Sequence, residues 1–162
     1  MTPQNTPNDW HDFTAEDLFS RCGLVVVAAG RGTRFGGWKQ LATLGGRPML
    51  VHTLSAFEGL PLAMRVVVLP ADWLDNGDWK RLCEEYPALR EYLAVGGGAE
   101  RAVSVRAGVG ALPDDCEFAV VHDGARPFPP LAATGGCLER LHRRPEIAAA
   151  IVASPVTDTI KR

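Results

Sequence analysis

Apolar residues in this chain come in short continuous runs separated by polar and glycine-rich stretches. "LVVVAA" (24–29), "MRVVVLP" (64–70), "YLAV" (92–95) and "EFAVVH" (117–122) are rich in valine and bounded by turn residues. Such runs predict strands buried on both faces. "IAAAIVAS" (147–154) predicts a fifth, with a weaker signal because alanine dominates it. Between the runs lie stretches with helical periodicity. "RPMLVHTLSAFEGL" (47–60) places Met49, Leu50, Thr53, Leu54 and Phe57 on one face, and Pro48 suits a first helical turn. Residues 78–86, 100–112 and 131–144 predict further helices, the last interrupted by Gly135 and Gly136.

Strands alternating with helices predict an α/β domain: a Rossmann-like, mostly parallel sheet flanked by helices. Such sheets bind ligands beyond the carboxyl ends of their strands. Segments 28–40, 96–104 and 122–127 leave strands at that end, and 154–161 follows the weaker run.

Composition narrows the classes. The 162 residues suit one domain, and 46% hydrophobic with 22% charged residues is ordinary for a globular protein. A net charge of −2 argues against a nucleic-acid surface, so anion binding has to come from local clusters of cations. Cys22, Cys83, Cys116 and Cys137 are far apart and form no C-x-x-C, as expected of reduced thiols in a cytoplasmic protein. No run approaches the ~18 apolar residues that span a membrane. The polar start, with two prolines by residue 7, predicts a mobile tail to about residue 20.

The first strand runs into "AAGRGTRFGGWKQL" (28–41). Gly30-x-Gly32 suggests a dinucleotide fingerprint, but Phe35 stands where a third small residue is needed and no suitable acidic residue follows. An NAD(P) domain is therefore disfavoured. The Gly-Lys-Ser/Thr of the other phosphate loop is missing too. What remains is glycine backbone that approaches phosphate closely, a forked Arg34 and a compact Lys39. That set suits a triphosphate whose pyrophosphate leaves, since cations stabilise the charge that develops there.

This loop resembles that of the sugar-phosphate nucleotidyltransferases, and among them the 2-C-methyl-D-erythritol 4-phosphate cytidylyltransferase family. Three more segments agree in order and spacing: "GGGAERAVSV" (96–105), "VHDGARPF" (121–128) and "PVTDTIK" (155–161). The resemblance implies that Ala28, Ala29, Gly30 and Gly32 cradle the triphosphate of CTP, with Arg34 and Lys39 as catalytic cations. It implies that Gly97, Gly98 and Ser104 read cytosine and that Asp123 holds Mg²⁺. Arg126, Thr159 and Lys161 would bind the acceptor, a sugar or polyol phosphate. His122, a lone histidine at a strand end, reads as a packing residue. Gly124 replaces the family's usual alanine.

The implied activity transfers CMP from CTP to 2-C-methyl-D-erythritol 4-phosphate, an isoprenoid precursor, and releases pyrophosphate. Ribitol 5-phosphate as acceptor and a non-catalytic CTP-binding domain are the alternatives. The family's chains continue with a dimerisation arm and further cations for the sugar phosphate. The expectation is a single domain over 21–162 that lacks this C-terminal part, and a homodimer where the arm is present.

Overall fold

Valine dominates the two strands at the centre of the sheet, and their burial explains why. The computed structural model describes residues 14–30 and 38–155. Strand β1 (Cys22–Val27) pairs in parallel with β4 (Met64–Leu69) on one side and β6 (Phe118–Asp123) on the other. Strand β5 (Leu93–Gly96) joins β4, giving the order β5-β4-β1-β6, all parallel. The expected α/β architecture is observed.

Side chains of β1 alternate between two cores, as the two-residue period of a strand requires. Leu24 and Val26 face a larger core with Val67, Leu69, Leu50, Leu54, Phe57 and Trp73. Val25 faces the other side with Val66 and Val68. The first face is covered by α2 (Met49–Ser55), the second by α5 (Arg101–Val109). Helix α5 comes so close that a Cβ on Gly108 would lie 2.3 Å from Val25 Cγ1. Helices α3 (Ala71–Asp75) and α4 (Asp78–Glu85), then a 3-10 turn (Pro87–Glu91), connect β4 to β5.

Several expectations change. The helix expected over 47–60 begins later, because Arg47–Pro48 form β3, which pairs with β2 (Thr43–Leu44) in a small hairpin. Gly45 and Gly46, at φ 57° and 82°, supply the left-handed pair that a two-residue hairpin turn needs. Residues 147–154 form no strand, and Ile151 is 85% exposed. Alanine side chains bury too little area to order such a segment. Helix α6 (Leu131–Arg143) runs through Gly135 and Gly136 without a break. Its Leu138 is buried with Leu18, Phe19 and Cys22, and this packing outweighs the roughly 1 kcal/mol that each glycine costs a helix. Leu18 and Phe19 belong to α1 (Ala15–Ser20), in the stretch expected to be a mobile tail. Thr14 caps α1: its hydroxyl accepts from Asp17 N, and the Asp17 carboxylate accepts from Thr14 N. No helix among the described residues is long and apolar enough to cross a membrane.

Candidate functional site

Three loops leave the sheet at the carboxyl ends of β1, β5 and β6, each pinned by one bond continuing the ladder. Ala28 N donates to Val68 O at 2.8 Å, Gly97 N to Leu69 O at 2.7 Å and Gly124 N to Val27 O at 2.8 Å. The loops enclose a cleft of about 400 Å³. Of the residues expected in the site, Ala28, Gly30, Lys39, Gly98, Ser104, Asp123 and Arg126 line it. Ala29 and Gly97 lie behind the wall, so close that a Cβ on Gly97 would come 2.3 Å from Ala29 Cβ. Gly32, Arg34, Thr159 and Lys161 fall outside the described residues.

The first wall is the chain after β1 and the 3-10 turn Lys39–Leu41. Lys39 is exposed to the cleft, while its neighbour Gln40 is only 4% exposed. The Gln40 amide donates to Ala28 O at 2.8 Å and Gly30 O at 3.1 Å.

The second wall is the glycine turn before α5. Ser104, on α5, is buried, and its hydroxyl faces back toward that turn. It accepts from Gly98 N at 3.2 Å and lies 3.2 Å from Glu100 O, to which it donates. The hydroxyl thus ties Gly98 to the first turn of α5.

The third wall starts at Asp123, the last residue of β6. Arg101 reaches across from α5, with Nη2 and Nε at 2.9 Å and 3.2 Å from Asp123 Oδ1. Arg126 Nε lies 3.1 Å from Oδ2. The turn is braced from below. His122 Nε2 donates to Arg126 O at 2.9 Å, and its ring packs edge-on against Phe57 at 5.3 Å, the packing role expected of it. The buried Thr53 hydroxyl lies 3.0 Å from Gly124 O and 3.1 Å from Met49 O, and donates to one or the other. A Cβ on Gly124 would meet Ala28 Cβ at 2.7 Å, so this backbone fits glycine and an alanine would push the first and third walls apart.

Lys39, Arg101 and Arg126 therefore share the cleft with Glu100 and Asp123. A carboxylate offers about four acceptor positions; Arg101 makes two hydrogen bonds to Asp123 Oδ1, and Arg126 forms an ion pair with Oδ2. Mg²⁺ is commonly held by one or two carboxylates plus substrate phosphates, so the donor set fits it. From the sequence alone Gln40 has no evident role, and Arg101, within the segment 96–105, reads as a support for the fold or the nucleotide. The adjacency of Lys39 and Gln40 in one turn was the available signal for Gln40.

The family model for 2-C-methyl-D-erythritol 4-phosphate cytidylyltransferase matches residues 22–162. The chain belongs to this family. A cytidylyltransferase of that name from Xanthomonas campestris pv. campestris (strain B100) is 42% identical over 143 residues, which cover 85% of this chain and 52% of the relative. One from Alkaliphilus metalliredigens (strain QYMF) is 37% identical over 145 residues, covering 88% and 59%. The crystal structure of 4-diphosphocytidyl-2C-methyl-D-erythritol synthase from Anaerococcus prevotii DSM 20548 superimposes with a TM-score of 0.61 at 25% identity, over 78% of this chain and 53% of that one. A second structure of that name gives 0.62 at 26%, over 87% and 62%. The chain thus spans about half the length of these cytidylyltransferases.

Proposed function

We propose that the cleft binds CTP and transfers its CMP group to the phosphate of 2-C-methyl-D-erythritol 4-phosphate, releasing pyrophosphate. The observation carrying this reading is the convergence, on one cleft, of residues from three separate family segments: Lys39, Ser104 and Asp123. Relatives named for this reaction, at up to about two-fifths identity, support the choice of substrates.

The chemistry needs little from the protein beyond placement and charge. An acceptor phosphate oxygen forms a bond to the α-phosphorus of CTP, and the bond from that phosphorus to the bridging oxygen of the β-phosphate breaks. The electron pair leaves with pyrophosphate. A phosphate is already a nucleophile, so no strong base is required. Lys39, with Arg34 as the family resemblance implies, would neutralise the charge growing on the leaving group. Gly98 and the turn fixed by Ser104 would present main-chain groups to cytosine, and Arg126 would meet the acceptor phosphate. Asp123 would hold Mg²⁺, which when bound neutralises phosphate charge and orients the oxygens. Holding both reactants in line supplies much of the acceleration. Four free cysteines support a reducing, cytoplasmic setting.

The test is pyrophosphate release by the purified protein with CTP, Mg²⁺ and 2-C-methyl-D-erythritol 4-phosphate, alongside ribitol 5-phosphate and CTP titration by calorimetry. Release that depends on the methylerythritol phosphate is expected. CTP binding without release would make this chain a nucleotide-binding module, and release with ribitol 5-phosphate alone would reassign the acceptor. Absence of CTP binding would remove the nucleotide reading.

A further inference from the structure

Gln40 makes two bonds that the proposed chemistry does not use directly. Its amide nitrogen sits 2.8 Å from Ala28 O and 3.1 Å from Gly30 O, and the residue is 4% exposed. Both partners are carbonyl oxygens, which only accept. The atom between them must therefore be the NH₂ of the amide, with one hydrogen for each. A glutamine committed this way fixes two alternate peptide groups of the chain leaving β1.

Those peptide groups lie where the phosphates are proposed to rest. A carbonyl oxygen turned into the cleft would repel a phosphate oxygen, whereas an N–H in its place would attract one. Nothing in a short glycine-containing stretch fixes which of these faces outward. In this structure the choice is made by a buried side chain from a different segment.

The same turn carries Lys39. It is held by Leu41 N donating to Trp38 O at 2.9 Å and Ala42 N to Lys39 O at 3.1 Å, and it is tied to α2 by Met49 N donating to Ala42 O at 2.9 Å. Both residues border the cleft, Gln40 as a 4% exposed part of its wall bonded to Ala28 O and Gly30 O, and Lys39 as an exposed side chain. Anchoring one therefore sets the place of the other relative to Ala28 and Gly30.

We propose that Gln40 is a positioning residue for the triphosphate: it holds the carbonyls of Ala28 and Gly30 out of the cleft and sets Lys39 over it. The proposal rests on the cytidylyltransferase reading and adds to it a specific division. The outer phosphates depend on Gln40 and the cytidine end does not, because Gly98 and Ser104 belong to a different wall.

Two variants test it. Gln40→Glu keeps the shape but sets a carboxylate against two carbonyls. Gln40→Met keeps the bulk and leaves both carbonyls unpaired in the interior. A carbonyl freed to turn into the cleft would repel a phosphate oxygen, so a loss of CTP affinity of roughly ten- to a hundredfold is expected. CMP, which lacks the two outer phosphates, is expected to bind close to the wild-type level. In Gln40→Glu, lowering the pH should recover part of the loss relative to wild type, because a protonated carboxyl can again donate to one carbonyl. Amide hydrogen exchange at Ala28–Gly30, measured without ligand, should quicken in both variants while α6 is unchanged.

The CTP-to-CMP affinity ratio is the deciding quantity, read in whichever variant keeps the wild-type melting temperature. An unchanged ratio would overturn the proposal, whether both affinities hold or fall together. So would unchanged exchange at Ala28–Gly30. Wild-type protein that binds neither nucleotide would instead overturn the cytidylyltransferase reading, and the triphosphate role of Gln40 with it.

Discussion

Arg101 and Asp123 join two walls of the cleft: the guanidinium at the start of α5 holds Oδ1 of the carboxylate that ends β6, at 2.9 Å. With Arg126 on the other oxygen, Asp123 is held in place before any ligand arrives. The arginines are mostly exposed, and exposed pairs contribute only about 0.2–1 kcal/mol each. The arrangement therefore orients the carboxylate more than it stabilises the fold.

Asp123→Asn accordingly should lower turnover far more than stability. Pyrophosphate release measured over a range of Mg²⁺ concentrations should fall steeply and need more metal, while the melting temperature shifts by a few degrees at most. Near-wild-type turnover at limiting Mg²⁺ would show that Asp123 does not hold the metal.

Lys39→Ala should leave the fold intact, since its side chain is exposed to the cleft. Removing one preorganised group that stabilises developing charge costs on the order of 10²–10³ in kcat. Steady-state kinetics should show that loss in kcat. A change confined to KM would place Lys39 in ground-state binding only.

Two glycines of the site should respond in opposite ways to the same change. A Cβ on Gly30 meets no described residue within 4 Å, so Gly30→Ala should be tolerated by the described part of the fold. A Cβ on Gly97 would sit 2.3 Å from Ala29 Cβ and 2.8 Å from Ser104 Oγ. Overpacking of this kind costs about 1–3 kcal/mol, and here it would separate the first two walls. Urea unfolding of the pair checks this, and equal stability of the two variants would refute the packing described for Gly97.

Cys22 predicts an alkaline weakness. It is fully buried, and its thiol donates to Leu18 O at 2.9 Å. Burial, with Cys116 adding to it, pushes its pKa up from 9.0 to about 12. The folded state favours the neutral thiol, so its contribution is whole below pH 9.0. It is lost progressively as the pH rises toward about 12, where the unfolded chain has already released its proton. Cys22→Ala should start less stable at neutral pH yet decline less above pH 9.0. Parallel alkaline slopes for the two proteins would assign the loss to other groups.

The central strands were legible because strands buried on both faces must be continuously apolar, and Val25–Val27 and Val66–Val68 are. Strands β5 and β6, expected to be buried in the same way, are only partly covered among the described residues, with Leu93 and Val121 exposed, because each has a described strand on one side only. The run at 147–154 misled because alanine is compatible with any conformation and its burial gains little. Helix α6 was obscured by Gly135 and Gly136: its continuity depends on Leu138 meeting Leu18 and Phe19, a contact that no local pattern encodes. The cleft was legible where chemistry sits in compact motifs, as at Gly98–Ser104 and Asp123–Arg126. Gln40 was not, because a glutamine next to a lysine reads as a solvated turn until its burial is known. Arg101 was undervalued for a related reason, since its partner Asp123 lies on a distant strand.

The sheet order β5-β4-β1-β6 has a consequence for how the chain reaches this state. The strand made first occupies the middle, and the neighbour on its second side, β6, is made last. Until Phe118–Asp123 emerges from the ribosome, one edge of Cys22–Val27 has no partner from the sheet. Contacts this distant in sequence slow folding, and a valine-rich strand with an open edge is prone to pair with other chains. The nascent protein therefore passes through an interval in which that strand edge is open to other chains, and it ends when β6 docks and carries Asp123 to its place beside Arg101.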